Sequence, residues 1–270
     1  MMNSISGRGL VMLGCGKMGS ALLQGWLDNG LDPAEVWVRD PRPAPVLGDM
    51  GVTHVNDALP ANPAVVIVAV KPQLMADALA DLTTLGDGDT MFLSVAAGVP
   101  ISSYERALGQ NTPIVRAMPN TPAAIGRGIT AIIGNGVVTS AQLDLAETLL
   151  SAVGQVVRLE AEAQLDAVTG VSGSGPAYVF HMIEALAAAG EAEGLPRDLS
   201  VQLATATVAG AGALAMASDD SAATLRENVT SPNGTTAAGL AVLMSETDGL
   251  PPLIRATVAA AASRSRELGK

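Results

Sequence analysis

The chain has 270 residues, a formal net charge of −11 and only two residues each of Trp, Tyr and Phe. This balance argues against nucleic acid, which attracts basic patches and aromatic stacking platforms, and against binding to an anionic membrane surface. With Cys15 as the single cysteine and two histidines, an internal disulfide is excluded and no metal site is expected. We therefore expect a reducing, cytoplasmic location, and the first ten residues lack the basic start and apolar run of a signal peptide.

Charged residues make up only 15 % of the chain, whereas 49 % of residues are apolar. Such a low charge content predicts that part of the surface is buried against another copy of the chain, in a homo-oligomer. Residues 200–218 carry no charge and are long enough to span a membrane. Because they are mostly Ala, Gly and Thr, we favour a small-residue helix buried at an interface.

About the first 155 residues alternate short apolar runs with helical segments. Several runs are continuous Val/Ile stretches, as expected for parallel strands covered on both faces. The predicted strands are Leu10–Leu13, Val36–Val38, Val65–Val70, Met91–Val95, Ile114–Ala117, Ile129–Ile133 and Val156–Leu159. Predicted helices include Gly19–Asn29 and Ala141–Val153, the latter with a capping box from Thr139 to Gln142. This alternation predicts an α/β, doubly wound sheet of the Rossmann type.

From about Glu160 the pattern changes to long Ala-rich segments with no strand-like runs. The predicted helices are Pro176–Glu193, Leu199–Ala217, Thr235–Glu246 and Pro252–Leu268. The sequence thus predicts a dinucleotide-binding domain over residues 1–159 and an all-helical dimerisation and substrate domain over residues 160–270.

The first predicted strand leads directly into Gly14-Cys15-Gly16-Lys17-Met18-Gly19. A G-x-G-x-x-G string alone is weak evidence, but this one follows a strand and opens a helix. Gly14 permits the tight turn, Gly16 lets the backbone approach a pyrophosphate, and Gly19 lets helix and strand pack closely. The N-terminus of the helix then offers free N–H groups to the phosphates. We predict a nicotinamide dinucleotide site here.

Two conflicting signals for cofactor choice follow the second predicted strand. Asp40 lies in the zone about 20 positions after the glycines where an acidic residue favours the NAD ribose. Arg39 and Arg42 favour the 2′-phosphate of NADP, with Arg39 also placed to stack on adenine. We favour NADP and leave NAD open. Lys71, at the end of another predicted strand, is a further candidate cofactor contact.

Ketone reduction needs a general acid to protonate the alkoxide, and the usual donors are missing. Neither tyrosine has a lysine four residues later, and no lysine lies between Lys71 and Lys270. An imine can be protonated before it binds, so an enzyme mainly has to hold it at about 3–3.5 Å from the nicotinamide. Hydroxyl and N–H groups suffice for that task. We therefore predict reduction of a small carboxylate-bearing imine.

The best candidate for holding the carboxylate is the turn Val229–Thr236, which is rich in small hydroxyl residues and precedes a predicted helix. An ordinary helix cap is the alternative interpretation. The segment Val171–Tyr178, with three glycines or prolines among its small residues, is interpreted mainly as a helix-packing or dimerisation element.

These segments together resemble the pyrroline-5-carboxylate reductase family over essentially the whole chain. The segments that carry the resemblance are Gly14–Gly19, Ala69–Pro72, Ala96–Gly98, Met118–Pro122, Asp166–Tyr178 and Asn228–Thr236. The resemblance implies reduction of 1-pyrroline-5-carboxylate to L-proline with NADPH or NADH, the last step of proline biosynthesis. It also implies an intertwined dimer through the helical domain, or a larger ring such as a decamer.

The resemblance also implies roles for individual residues. The cofactor-binding residues would be Leu13, Gly14, Cys15, Gly16, Lys17, Met18, Asn56, Val70, Lys71, Ala97 and Asn228. Thr236 would hydrogen-bond the substrate as the catalytic residue, with Thr235 beside it and Ser231 in the carboxylate turn. Glu162 is a further candidate on the substrate side.

One departure from the family pattern lies in the carboxylate turn, where Asn233 replaces the first of two glycines that often follow the proline. Asn tolerates left-handed backbone geometry, so we expect the turn to be kept. Three alternatives remain open: a 3-hydroxyacid dehydrogenase, an imine reductase with another substrate, and a non-catalytic nucleotide-sensing subunit. The missing lysine disfavours the first, and the paired threonines with the glycine turn disfavour the last.

Overall fold

The structure is a computed structural model, which describes residue 5 and residues 7–269; Lys270 and part of the N-terminal stretch lie outside the described residues. The chain forms two compact units. The first ends at Gly173 and also contains the chain from Ala261 onward, and the second is Ser174–Ala260. The division at residues 159 and 160, predicted from the change of sequence pattern, falls just after the last strand and stays a prediction.

Eight strands form one sheet in the first unit. They are β1 (Leu10–Leu13), β2 (Val36–Arg39), β3 (His54–Val55), β4 (Val65–Val68), β5 (Met91–Ser94), β6 (Ile114–Met118), β7 (Gly128–Gly134) and β8 (Gly154–Arg158). Their order in the sheet is β3-β2-β1-β4-β5-β6-β7-β8. All neighbours are parallel except β6 and β7.

Helices surround this sheet and continue into the second unit. They are α1 (Lys17–Asp28), α2 (Val46–Asp49), α3 (Met75–Ala80), α4 (Ile101–Leu108), α5 (Ser140–Ser151), α6 (Gln164–Val168), α7 (Gly175–Ala192), α8 (Arg197–Ala217), α9 (Ala222–Asn228), α10 (Thr235–Leu243) and α11 (Leu250–Leu268). The segment Thr169–Gly173 is a π-helical turn, and four short 3₁₀ turns connect other elements among the described residues of the first unit.

The core lies on both faces of the sheet, as the continuous apolar strands predict. Leu10 and Met12 of β1 pack in one buried cluster with α1 and α5, whereas Val11 and Leu13 pack in a second cluster with α3 and α4. On the first face the indole N–H of Trp26 donates to the carbonyl oxygen of Leu149 at 2.7 Å, which ties α1 to α5. The predicted doubly wound architecture is confirmed.

The sheet order reverses at β1, which pairs with β2 on one side and β4 on the other. In such sheets the crevice beyond the carboxyl ends of the strands, at the point of reversal, is where ligands bind. The loops that follow β1, β2 and β4 meet there: the amide of Gly14 donates to the Arg39 carbonyl, and that of Ala69 donates to the Leu13 carbonyl. The fold therefore places the predicted glycine motif at the ligand-binding edge.

All seven predicted strands are present, with shifts of one or two residues at their ends. The largest shifts are two residues: β8 begins at Gly154 rather than Val156, and β4 ends at Val68 rather than Val70 because the loop after it turns toward Gly14. The short strand β3 was not predicted. The capping box at α5 is confirmed, with the Thr139 hydroxyl accepting from the Gln142 amide.

The second unit contains helices only, as predicted. Glycine permits close packing of α7 and α8: a Cβ atom at Gly190 would lie 3.0 Å from Ser200 Oγ. Predicted ends differ by up to three residues, since α10 ends at Leu243 rather than Glu246 and α11 begins at Leu250. Among the described helices, α8 has the length and mean hydropathy of a membrane span. A single helix of this kind is only weak evidence that a protein crosses a membrane.

Candidate functional site

The loop after β1 has the geometry that dinucleotide binding requires. Gly14 has φ +83°, and a Cβ atom there would lie 2.9 Å from Val70 Cγ1 and 3.0 Å from the Ala69 oxygen. A Cβ atom at Gly19 would lie 2.9 Å from the Gly14 oxygen. Gly16, by contrast, has open space where a Cβ would stand. Gly14 therefore permits the tight turn, Gly19 permits close packing of the helix on the loop, and Gly16 leaves space for a ligand to approach the backbone, as predicted.

The first turn of α1 is open to an anion. Gly16 is the N-cap residue and no side chain caps it, so the amides of this turn point outward with the positive end of the helix dipole. Gly16 and Lys17 are exposed, and Met18 is half-buried. A pyrophosphate fits here because backbone donors, a lysine and free space converge at one helix terminus.

Asp40 supports the glycine loop directly. Its Oδ2 accepts a hydrogen bond from the Cys15 amide at 2.8 Å, and its Oδ1 accepts from the Arg42 amide at 2.8 Å. Both carboxylate oxygens are thus engaged by the backbone. Burial raises the pKa of the Cys15 thiol, with a smaller contribution from the negative charge of Asp40. Cys15 is therefore a neutral packing group at the start of the helix.

Asn56 holds the same loop from the other side. Its side-chain oxygen accepts from the Asp40 amide at 3.1 Å, and its side-chain nitrogen donates to the Asp40 carbonyl at 2.9 Å. Asn56 itself has φ +60°, in the left-handed region. The side chain predicted to contact the cofactor therefore fixes the backbone after β2, and its contact with the cofactor stays a prediction.

A cavity of about 340 Å³ lies between the end of β2 and α3. Its wall is mainly apolar, with Leu13, Val70, Leu74 and Leu82, and Arg39 stands at its side. An apolar slot beside a guanidinium suits the flat face of adenine. Arg39 and Asp81 also border a second cavity of about 340 Å³, together with Pro60.

The loop after β5 contains Ala97, the predicted nicotinamide-side contact. Ala97 is half-buried and Gly98, with φ +78°, is buried. From the inside the loop is held by Ser94, whose Oγ accepts from the Ala96 amide at 3.2 Å. The other candidate in this region, Lys71, is exposed and precedes the 3₁₀ turn Pro72–Leu74.

Beneath this loop, the hydroxyl of Tyr104 lies 2.5 Å from Ser94 Oγ. Burial raises the pKa of Tyr104 to about 12, whereas a tyrosine in the unfolded chain titrates near pH 10. The unfolded state therefore loses its proton first, and the stability that Tyr104 contributes is lost as pH rises from about 10 to about 12.

Denaturant unfolding across this pH range should show a smaller decrease in the free energy of unfolding for Tyr104→Phe than for the unaltered protein. Equal decreases would contradict this assignment.

Glu162, predicted on the substrate side, joins two elements of the first unit. Its Oε1 accepts from the Ile101 amide at 2.8 Å and from Arg116 Nη1 at 2.8 Å. The Arg116 side chain is largely shielded from solvent, whereas that of Glu162 is 32 % exposed. Sequence reasoning did not find Arg116, because an arginine inside an apolar strand carries no local signal of a partner 46 residues away. Substrate binding by Glu162 stays a prediction.

The candidate carboxylate turn lies in the second unit. Asn233 has φ +59°, so asparagine does keep the left-handed geometry expected of a glycine. Gly234 is the N-cap of α10 and no side chain caps it, which leaves the first amides of the helix, at Thr235 and Thr236, directed outward. The turn thus is the N-terminus of a helix, as the alternative interpretation of an ordinary helix cap also requires, and carboxylate binding here stays a prediction. Both threonines are exposed, as are Ser231 and, at the end of α9, Asn228.

The structure thus gathers most predicted cofactor residues at one edge of the sheet in the first unit, and it gathers Ser231, Thr235 and Thr236 at one helix start in the second. A glycine loop at the reversal point of a parallel sheet defines the class of Rossmann-type dinucleotide-binding proteins.

Two family models match the chain: residues 10–98 match the NADP oxidoreductase, coenzyme F420-dependent family, and residues 162–268 match pyrroline-5-carboxylate reductase dimerisation.

Known pyrroline-5-carboxylate reductases are similar in sequence to most or nearly all of this chain. A pyrroline-5-carboxylate reductase of Pseudomonas aeruginosa is 39 % identical over 97 % of this chain and 97 % of its own length. One from Synechocystis is 47 % identical over 76 % of this chain and 75 % of its own. The chain belongs to the pyrroline-5-carboxylate reductase family.

Solved structures of the family have the same fold. The pyrroline-5-carboxylate reductase of Coxiella burnetii has a TM-score of 0.90 at 35 % identity, covering 97 % of this chain and 99 % of its own. The Plasmodium falciparum enzyme, solved with NADP bound, has a TM-score of 0.85 at 27 % identity, covering 98 % and 100 %.

Proposed function

We propose that this chain reduces 1-pyrroline-5-carboxylate to L-proline with a nicotinamide dinucleotide, the last step of proline biosynthesis. The observation that carries the proposal is the 39 % identity to a pyrroline-5-carboxylate reductase over 97 % of both chains. The open first turn of α1, beside a loop in which a Cβ at Gly14 would strike Ala69 and Val70, supports it independently.

The residues present fit a dinucleotide. The uncapped amides of α1 and Lys17 would hold the pyrophosphate, the apolar cavity beside Arg39 would hold the adenine, and Ala97 would border the nicotinamide. When bound, the dinucleotide supplies the hydride. We assign NADPH as the preferred cofactor because both carboxylate oxygens of Asp40 already accept backbone hydrogen bonds, whereas Arg39 makes no ion pair within the described residues.

The substrate side is assigned to the second unit. The outward amides at the start of α10, with Ser231 in the preceding turn, would bind the carboxylate. The Thr236 hydroxyl would hydrogen-bond the ring and fix its orientation, with Thr235 beside it. Because hydride addition to a protonated C=N bond removes its positive charge, no alkoxide forms and no strong general acid is required.

The active form in this proposal is a homo-oligomer in the cytoplasm. The match of residues 162–268 to a dimerisation family supports a dimer, and a decamer built from such dimers is the larger form we consider. Exposed apolar side chains along α7 and α8, among them Phe180, Leu203, Leu214 and Met216, support burial of these helices against a second copy rather than in a membrane.

The direct test is loss of nicotinamide absorbance with 1-pyrroline-5-carboxylate, run in parallel with NADPH and NADH. We expect oxidation of both, faster with NADPH. Protein that binds NADPH but oxidises it only with a six-membered cyclic imine would be a reductase for another substrate. Protein that binds NADPH and oxidises it with neither imine would refute the proposal.

The cofactor preference has its own test in Arg39→Ala. Loss of the guanidinium should raise KM for NADPH about tenfold, the equivalent of about 1.4 kcal/mol, and raise KM for NADH by less, because NADH has the adenine but not the 2′-phosphate. Arg42→Ala is the matched control, since this exposed arginine lies in the same loop and outside the adenine cavity. The reverse pattern would transfer the role to Arg42.

A further inference from the structure

The last turn of α11, which we call the C-terminal turn (Ser265–Gly269), packs on the loop that contains Ala97. A Cβ atom at Gly98 would lie 3.0 Å from Leu268 Cβ, and one at Gly269 would lie 3.0 Å from the Gly98 oxygen. Gly98 has φ +78°, a conformation that side chains rarely adopt. The C-terminal turn and the loop therefore approach so closely that neither glycine has room for a side chain. This close approach is at Gly98, the residue next to Ala97, the predicted nicotinamide contact.

A second contact anchors the C-terminal turn nearby. Ser265 is 4 % exposed, and its Oγ donates to Asp166 Oδ1 at 2.7 Å. One helical turn before Asp166, Glu162 accepts from the Ile101 amide, where α4 begins directly after this loop. The C-terminal turn and the far end of the loop are therefore both tied to the same short segment, residues 162–166.

The loop is fixed on its inner side as well. Ser94 Oγ accepts from the Ala96 amide and bonds the buried Tyr104 hydroxyl. The outer contacts, by contrast, are few, because a cavity of about 290 Å³ lined by Gly98, Pro100, Arg116, Glu162 and Ser265 lies beside them. With solvent space next to the loop, the packing of Leu268 and Gly269 on Gly98 limits its outward movement.

We propose that the C-terminal turn is a positioning element for the nicotinamide end of the cofactor: Ser265 holds the turn on Asp166, and Leu268 and Gly269 hold Gly98, so that Ala97 keeps its place. None of these residues touches the reacting atoms. The inference rests on the proposed function, in which Ala97 borders the nicotinamide. Loss of the turn should weaken binding of the nicotinamide half and leave the adenosine half unaffected.

The test compares two ligands by titration of the full-length protein, of Ser265→Ala and of a chain ending at Arg266. NADPH occupies the whole crevice, whereas adenosine 2′,5′-bisphosphate reaches only the adenosine end. We expect both variants to bind NADPH more weakly, by about tenfold for the shortened chain, with unchanged affinity for the bisphosphate. Ser263→Ala is the matched control for Ser265→Ala, since Ser263 is the exposed serine two residues earlier on α11, and it should bind both ligands normally.

Three outcomes separate the possibilities. Equal weakening of both ligands would mean that the turn only stabilises the first unit, and unchanged binding of both would mean that it does not act on the loop; either result overturns the inference. If the shortened chain fails to fold, as judged by circular dichroism, Ser265→Ala decides. Failure of the full-length protein to bind either ligand would instead overturn the proposed function.

Discussion

Gly14→Ala should reduce the affinity for NADPH by about a hundredfold, a loss typical of misplacing a binding group by about 1 Å. The new Cβ would lie 2.9 Å from Val70 Cγ1 and 3.0 Å from the Ala69 oxygen, and Gly14 has φ +83°. Relief of these contacts requires the loop to move away from β4. Such a movement would carry the Cys15 amide from Asp40 and shift the first turn of α1. Fluorescence titration with NADPH measures the change.

Gly30→Ala is the control that separates backbone strain from crowding. Gly30 follows the other end of α1 and has φ +89°, but nothing lies within 4 Å of its absent Cβ. The left-handed backbone therefore destabilises both variants by a similar amount, about 1 kcal/mol. Only Gly14→Ala also crowds the crevice. Equal NADPH affinities in the two variants would show that the Gly14 turn is not part of the site.

Thr236→Ala should lower kcat/KM for 1-pyrroline-5-carboxylate by the equivalent of about 1–3 kcal/mol, the cost of a lost hydrogen bond to a charged ligand. The residue lies in the first turn of α10, which has no side-chain cap, so removal of its hydroxyl leaves the helix start intact. Steady-state kinetics at saturating NADPH measures the effect.

Two companion measurements show whether the hydroxyl itself acts. Thr236→Ser keeps the hydroxyl and should retain most of the activity. NADPH affinity of Thr236→Ala should stay close to that of the unaltered protein, because the dinucleotide loop lies in the first unit. A variant that lost NADPH binding would show that Thr236 belongs to the cofactor site instead.

The architecture of the first unit follows from local sequence signals. Apolar runs such as Val65–Val68 are buried on both faces, and the glycine motif stands where strand and helix meet. The direction of β7 could not be predicted, because a strand antiparallel to β6 has the same apolar pattern as a parallel one. The strand β3 is only two residues long, too short for any periodicity.

The geometry of the candidate site was predictable where the backbone forms it. Glycines at 14, 16 and 19 have distinct steric requirements, and each leaves a mark in the sequence. Side chains that act through distant partners leave none: Asp40 supports Cys15 from 25 residues away, and Glu162 pairs with Arg116 from 46 residues away. Asp40 also shows how a residue can match a nucleotide-binding pattern while its carboxylate is already occupied by the backbone.

If the proposed dimer forms, the helix α8 makes the stability of the second unit depend on protein concentration. Of the 21 residues of α8, only Ser200 and Ala204 are buried in the single chain. Packing against α7 therefore covers little of the apolar surface of α8, and helices in water are stabilised mainly by such packing. In the proposed dimer, mass action makes a second copy behave as a stabilising ligand, and we expect the midpoint of thermal unfolding to depend on protein concentration. Dilution alone would therefore weaken the second unit, while the sheet of the first retains its own covered core.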